Sequence, residues 1–162
     1  MGDFVKKVFI IILFLVSSLF AQLDYSKKKI KLLGEKKDSI SKRVTIKNIE
    51  KIGYKDYRMV DPYTKKKTTY GGVTLDNFVK VFAKPTVKEV VFTAIDGYSV
   101  SILKNEWENH VILLATRLNK KHVGYEHKGP LRIVFPNFKS ISENYANNLP
   151  KWIWMIKSIE FK

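Results

Sequence analysis

The sequence predicts a β-rich α+β fold with few short helices, and three observations carry that expectation. Runs of apolar residues with a period of two outnumber the single strong helical stripe. The strand and helix signals follow one another irregularly, unlike regular βαβ units. At 45% hydrophobic, with three Trp, eight Tyr and ten Phe in 162 residues, the chain can fill one core.

In chain order, Lys28–Leu33 and Lys42–Ile49 alternate apolar and polar residues as half-buried strands do. Tyr57–Val60 is a further short strand, stopped by Asp61-Pro62, and Lys65–Lys67 reads as an exposed hairpin loop returning to Thr69-Tyr70. Gly71-Gly72 is expected to break the chain. Thr74 then suits an N-cap, and Leu75, Phe78, Val79 and Phe82 form an i, i+3, i+4, i+7 stripe that ends at Lys84-Pro85.

Lys88–Ala94 reads as a buried strand, and Asp96-Gly97 as the turn into Tyr98–Leu103. A helical turn at Asn105–Asn109, a strand at Val111–Leu118 and a polar loop at Asn119–Glu126 follow. Gly129-Pro130 leads into the strand Leu131–Phe135, ended by Pro136. Ile141–Asn147 reads as a short helix, and the chain closes on a strand over Met155–Phe161. No repeat or linker divides residues 22–162, which are therefore expected to form one domain.

The first 21 residues read as an address. Lys6 and Lys7 form a basic region, Val8–Val16 an apolar one, and Ser17–Ala21 a small-residue exit. The apolar run is short for a bilayer span of about 20 residues, so the expectation is a signal peptide cut after Ala21 and a periplasmic domain. An uncleaved membrane anchor is the alternative.

The net charge of +15 sits mostly early: Lys27–Lys67 carries 15 Lys/Arg against 5 Asp/Glu. Such an excess draws a protein toward polyanions and acidic surfaces without specifying a fold. No nucleic-acid reading motif is present, so nucleic acid is not an expected partner. Zero cysteine excludes disulfides, thiolate metal sites and a cysteine nucleophile. No HExxH, GxSxG, GxGxxG or GxxxxGK[ST] pattern occurs.

Four segments in order carry a family resemblance: YGGVTLDNFVKVF (70–82), VVFTAIDGYSVSI (90–102), LLATRLNKKHVGYEHKGPLRIVFP (113–136) and PKWIWMIKSIEF (150–161). Together they resemble the molybdopterin-binding domain of the sulfite oxidase family. The resemblance implies an α+β fold with mixed sheets. It also implies four cofactor-binding positions: Asp96 in the Asp-Gly-Tyr hairpin, His127 and Arg132 five apart, and Lys151 before Trp152. A pterin ring would use carboxylate and imidazole partners, and its phosphate Arg and Lys.

The chain departs from the family where the family's cysteine thiolate holds molybdenum, a segment corresponding to Tyr57–Tyr63. Asp61 is the one hard oxygen ligand on offer there. The expectation is therefore an exported small-ligand or partner-binding domain without molybdenum oxidase activity, its catalytic and metal residues none, and molybdopterin entering by resemblance alone. Its ligand would be small and anionic or pterin-like, or its partner a periplasmic or membrane signalling or redox protein. The alternatives are a molybdopterin oxidoreductase with a non-cysteine ligand set, and a lysine-rich binder of acidic surfaces.

Overall fold

A computed structural model describes residues 23–137 and 149–162; the expected signal segment and the helix expected at Ile141–Asn147 lie outside the described residues. Two five-stranded sheets share one hydrophobic core. The first is ordered β2-β1-β10-β5-β6, built from Arg43–Thr45, Lys29–Gly34, Ile156–Phe161, Glu89–Ala94 and Ser99–Leu103. Its β1–β10 pair is parallel and the others antiparallel, so the sheet is mixed, as expected. Ile30 and Leu32, Val90 and Phe92, and Val100 and Ile102 alternate inward, which is the period-two pattern legible in the sequence.

The second sheet is antiparallel. Strands β3 (Lys55–Val60), β4 (Lys67–Thr74) and β7 (Leu113–Leu118) run in that order, and the far edge of β7 pairs with both β8 (Lys121–His122) and β9 (Arg132–Val134). Among the described residues three α-helices lie between the strands: α1 (Ile46–Glu50), α2 (Leu75–Phe82) and α3 (Lys104–Asn109). In α2 the Thr74 hydroxyl accepts from the Asn77 N–H at 3.4 Å, and Leu75, Phe78 and Phe82 are buried, as the stripe predicts.

Three expectations are corrected. The strand expected over Lys42–Ile49 stops at Thr45, because its hydroxyl caps the Asn48 N–H (3.2 Å) and starts α1. Ile46 and Ile49 then share a helical face rather than a strand face. Gly71-Gly72 lies inside β4 and does not break it. A Cβ at Gly72 would stand 2.0 Å from the Leu114 carbonyl oxygen, so glycine allows the close approach of β4 and β7. The polar loop expected at Asn119–Glu126 contains β8, a two-residue return strand against Arg117 and Leu118.

That return is pinned to α1 through Glu50. Its Oε1 accepts from Arg117 Nε (2.9 Å) and the Thr116 hydroxyl (2.7 Å), its Oε2 from Arg117 Nη2 (2.8 Å), and His122 Nε2 stands 3.2 Å away. Burial raises the Glu50 carboxyl, but Arg117 and Thr116, with His122, outweigh it and hold the group below its ordinary value. Beside it the Tyr54 phenol is pushed up to about 12, by burial and then by its hydrogen bond to Asp56.

Replacing Glu50 by Gln should therefore cost about 2 kcal/mol at pH 7, a bridge only partly shielded from water. A carboxyl with a lowered folded pKa stabilises fully above its unfolded value and loses that contribution as pH falls. The parent should accordingly weaken below about pH 4.5 along a slope that E50Q lacks. Urea midpoints measured from pH 3 to 7 check both, and equal midpoints at pH 7 would remove Glu50 as the pin.

Candidate functional site

The second sheet and its loops build a cleft of about 220 Å³, lined chiefly by Asp61, Tyr63, Tyr70, His127, Lys128 and Arg132. It begins with one buried carboxylate. Asp61 is only 3% exposed and lies between β3 and β4. Its Oδ1 accepts from the backbone N–H of Tyr63 (2.9 Å) and Thr64 (2.7 Å), and its Oδ2 accepts from the Tyr70 hydroxyl. Burial raises its pKa, but the Tyr70 hydroxyl and the Thr64 and Tyr63 N–H groups outweigh that and hold it below the ordinary value. The same arrangement pushes the Tyr70 phenol well above the tyrosine range, burial acting first against the pull of Arg132.

Arg132 is the second unusual group. On β9 it stands in register opposite Ala115 of β7, with its guanidinium 5.1 Å over the Tyr70 ring. It is 5% exposed, yet its Nε finds no hydrogen-bond partner among the described residues. A buried guanidinium donor normally has an acceptor, and the residue that carries this orphan also lines the cleft. Asp61 does not supply it: its oxygens are engaged by Tyr63, Thr64 and Tyr70, and no hydrogen bond joins it to the Arg132 Nε among the described residues.

His127 and Lys128 reach the same cleft from the loop between β8 and β9. Lys128 adopts a left-handed backbone (φ 64°) at the end of a 3-10 turn over Tyr125–His127. Its ammonium sits 4.0 Å above the Trp154 ring and 5.6 Å from that of Tyr63. Tyr63 packs edge-on against Trp152 and Trp154, and so separates this cleft from a neighbouring one of about 310 Å³.

The structure thus brings His127 and Arg132 into one cleft. Asp96 lines the neighbouring aromatic cleft, with Tyr63, Tyr98, Trp152 and Trp154. It is exposed, and its Oδ1 accepts from the Tyr98 N–H at 2.9 Å, the ordinary work of a turn aspartate. Lys151 lines neither cleft; its ammonium is ion-paired with Glu106, whose other oxygen accepts from the Leu103 N–H at 2.9 Å. Sequence reasoning missed Tyr70, Lys128, Tyr63 and Trp154 as parts of the site. Tyr63 and Trp154 are 91 positions apart, so no local spacing could pair them.

Three of the lining groups suit an anion, the Arg132 guanidinium, the Lys128 ammonium and the His127 imidazole, and they share the cleft with two carboxylates, Asp61 and Glu126. The lining does not suit the family's molybdenum. No cysteine exists in the chain, and both oxygens of Asp61, at the corresponding place, already hold the loop together. Among the described residues no three His, Asp or Glu side chains gather as a metal cluster.

Known proteins agree with this architecture. A family profile described as the oxidoreductase molybdopterin binding domain matches residues 45–162. Among solved structures, the sulfane dehydrogenase SoxCD of Paracoccus pantotrophus superposes with a TM-score of 0.59 at 13% sequence identity. The match covers 86% of this chain and 39% of that one, and at such identity it shows the shared fold. No curated protein matches the sequence.

Replacing Tyr70 by Phe tests the arrangement around Asp61. The Asp61 Oδ2 would be left buried without its donor, at a cost of about 2 kcal/mol in a urea unfolding experiment at pH 7. The Asp61 carboxyl would move up toward its ordinary value, so acid weakening should begin at higher pH in Y70F than in the parent. A variant as stable as the parent at both pH 7 and pH 4 contradicts this account.

Proposed function

Because the chain belongs to the oxidoreductase molybdopterin-binding domain family, we propose that it keeps the family's anion-binding cleft for a small pterin-like or other anionic ligand without molybdenum oxidase chemistry. The observation that carries the reading is the orphaned Arg132 Nε, 95% buried in a cleft that it shares with His127 and Lys128. An anionic ligand oxygen there would complete the guanidinium's hydrogen bonding, which a solvated surface arginine would not require.

In such a site each residue has a definable task. Arg132 donates to an anionic oxygen, and its position is fixed from below by the Tyr70 ring. Lys128, leaning on Trp154, supplies a second positive charge at the wall. His127 offers one ring nitrogen as donor or acceptor, according to its tautomer. Molybdopterin, if taken up, would bring a phosphate and a fused ring to these groups, while its metal would lack the thiolate.

The basic Lys6-Lys7 pair, the apolar Val8–Val16 run and the small residues after it support export to the periplasm. There the domain would act as an accessory or sensing partner of a membrane signalling or redox protein. The chain spans 39% of the sulfane dehydrogenase chain, and the activity of that longer protein is not transferred to it.

Two measurements check the reading. Titration calorimetry with a phosphorylated pterin should show binding that Arg132→Met weakens about 10- to 100-fold, the loss expected for hydrogen bonds to a charged group. Protein purified from a molybdenum-replete host should carry well under one molybdenum per chain. Stoichiometric molybdenum with pterin fluorescence would instead establish an oxidoreductase with an atypical ligand set.

A further inference from the structure

The first sheet has a buried face and an open one. Ile30, Leu32, Val44, Val90, Phe92 and Ile159 point into the core, leaving the alternate residues of each strand on the other side. Register aligns these into a row crossing all five strands: Arg43, Lys31, Ser158, Thr93 and Ser99. Lys29 lies two residues from Lys31 on the same face. Three cations thus crowd one edge of a row whose other members carry hydroxyls, and no ion pair is formed by any of the three among the described residues.

Lys31 stands directly opposite Arg43 in an antiparallel pair. Like charges in that position destabilise a sheet, whereas a carboxylate there would stabilise it. The two acids of this face lie elsewhere: Glu160 is level with Leu33 and pairs with Lys162, and Glu89 accepts from Ser101. An external anion held between the two cations would relieve that repulsion.

Position in the chain says which anion. The cations begin at Lys29, six residues after the first described residue, Leu23, which is 61% exposed. The apolar run Val8–Val16 ends seven residues before Leu23, a span of roughly 25 Å at most when extended. Where that run stays uncut and lies in a bilayer, the start of β1 is kept close to the lipid surface, and no acid occurs between Asp3 and Asp24 to oppose it.

We propose that Lys29, Lys31 and Arg43 form a docking face for the anionic headgroups of a lipid bilayer. Ser158 extends that face with a hydroxyl able to donate to a phosphate oxygen, while the Thr93 and Ser99 hydroxyls are bonded to each other at 3.0 Å. The anion cleft belongs to the second sheet, so lipid docking and ligand binding occupy different surfaces.

Vesicle co-sedimentation of the full chain tests this, with every variant carrying the same N-terminal run. Partition onto phosphatidylglycerol-containing vesicles, in excess of that onto phosphatidylcholine alone, should be strong at low salt and fall as salt is raised. K29E/K31E/R43E should lower that excess roughly a hundredfold, whereas K65E/K66E/K67E on the β3–β4 hairpin, an equal change of charge, should lower it about threefold or less. Equal losses in the two triple variants would reduce the effect to bulk charge and overturn the assignment.

Lys31→Glu alone separates docking from folding. Its carboxylate would face Arg43, so the protein should melt at or above the parent's temperature while its anionic excess drops. A K31E protein retained as well as the parent overturns the proposal. So does a parent that ignores anionic vesicles but binds soluble polyglutamate through these residues, which would give the face to an acidic polypeptide.

Discussion

The Asp61 carboxylate is the constraint on which the site depends. A charge buried to 3% exposure persists only when its oxygens are fully engaged. Meeting that demand takes the Tyr63 and Thr64 N–H groups and the Tyr70 hydroxyl. The first two fix the turn that stands Tyr63 against Trp152 and Trp154. The third fixes the Tyr70 ring beneath Arg132. One carboxylate therefore orients both the wall between the clefts and the floor of the anion site.

The same engagement decides what Asp61 cannot do. An aspartate with both oxygens committed to its own loop is a poor replacement for a thiolate metal ligand, because ligation would release the turn and the Tyr70 ring together. The absence of cysteine and the commitment of Asp61 are separate observations that agree. The chain belongs to the molybdopterin-binding domain family, and at this place it carries neither a cysteine nor an aspartate free of its own loop.

Much of the fold was legible because local pattern and tertiary packing agree in it. The Leu75–Phe82 stripe has one apolar face and a threonine cap, and Asp96-Gly97 joins two alternating runs. The misreadings came where a distant contact overrides local preference. Gly71-Gly72 looks like a break until Leu114 is seen to need the space, and Thr45 looks like a strand residue until it caps a helix. The site was legible through the family resemblance more than through chemistry. His127 and Arg132 line one cleft, whereas Lys151 is held by Glu106, 45 positions away, which no motif displays. Orphaned donors are invisible in a sequence, since they are defined by who fails to stand beside them.

Charge now divides by surface. The basic excess of residues 27–67 includes the open edge of the first sheet, whereas Arg132 and Lys128 serve a cleft in the second. The central proposal is that the Arg132 Nε, buried and without a partner among the described residues, is satisfied by a bound anion. Nitrogen-15 NMR of the Arg132 side chain, followed while a phosphorylated pterin is added, measures this most directly. The account predicts a downfield shift of the Nε–H resonance and slowed exchange at saturation, with the other arginines unmoved. An Nε–H already shifted and protected in the free protein, and unchanged by the ligand, would contradict it.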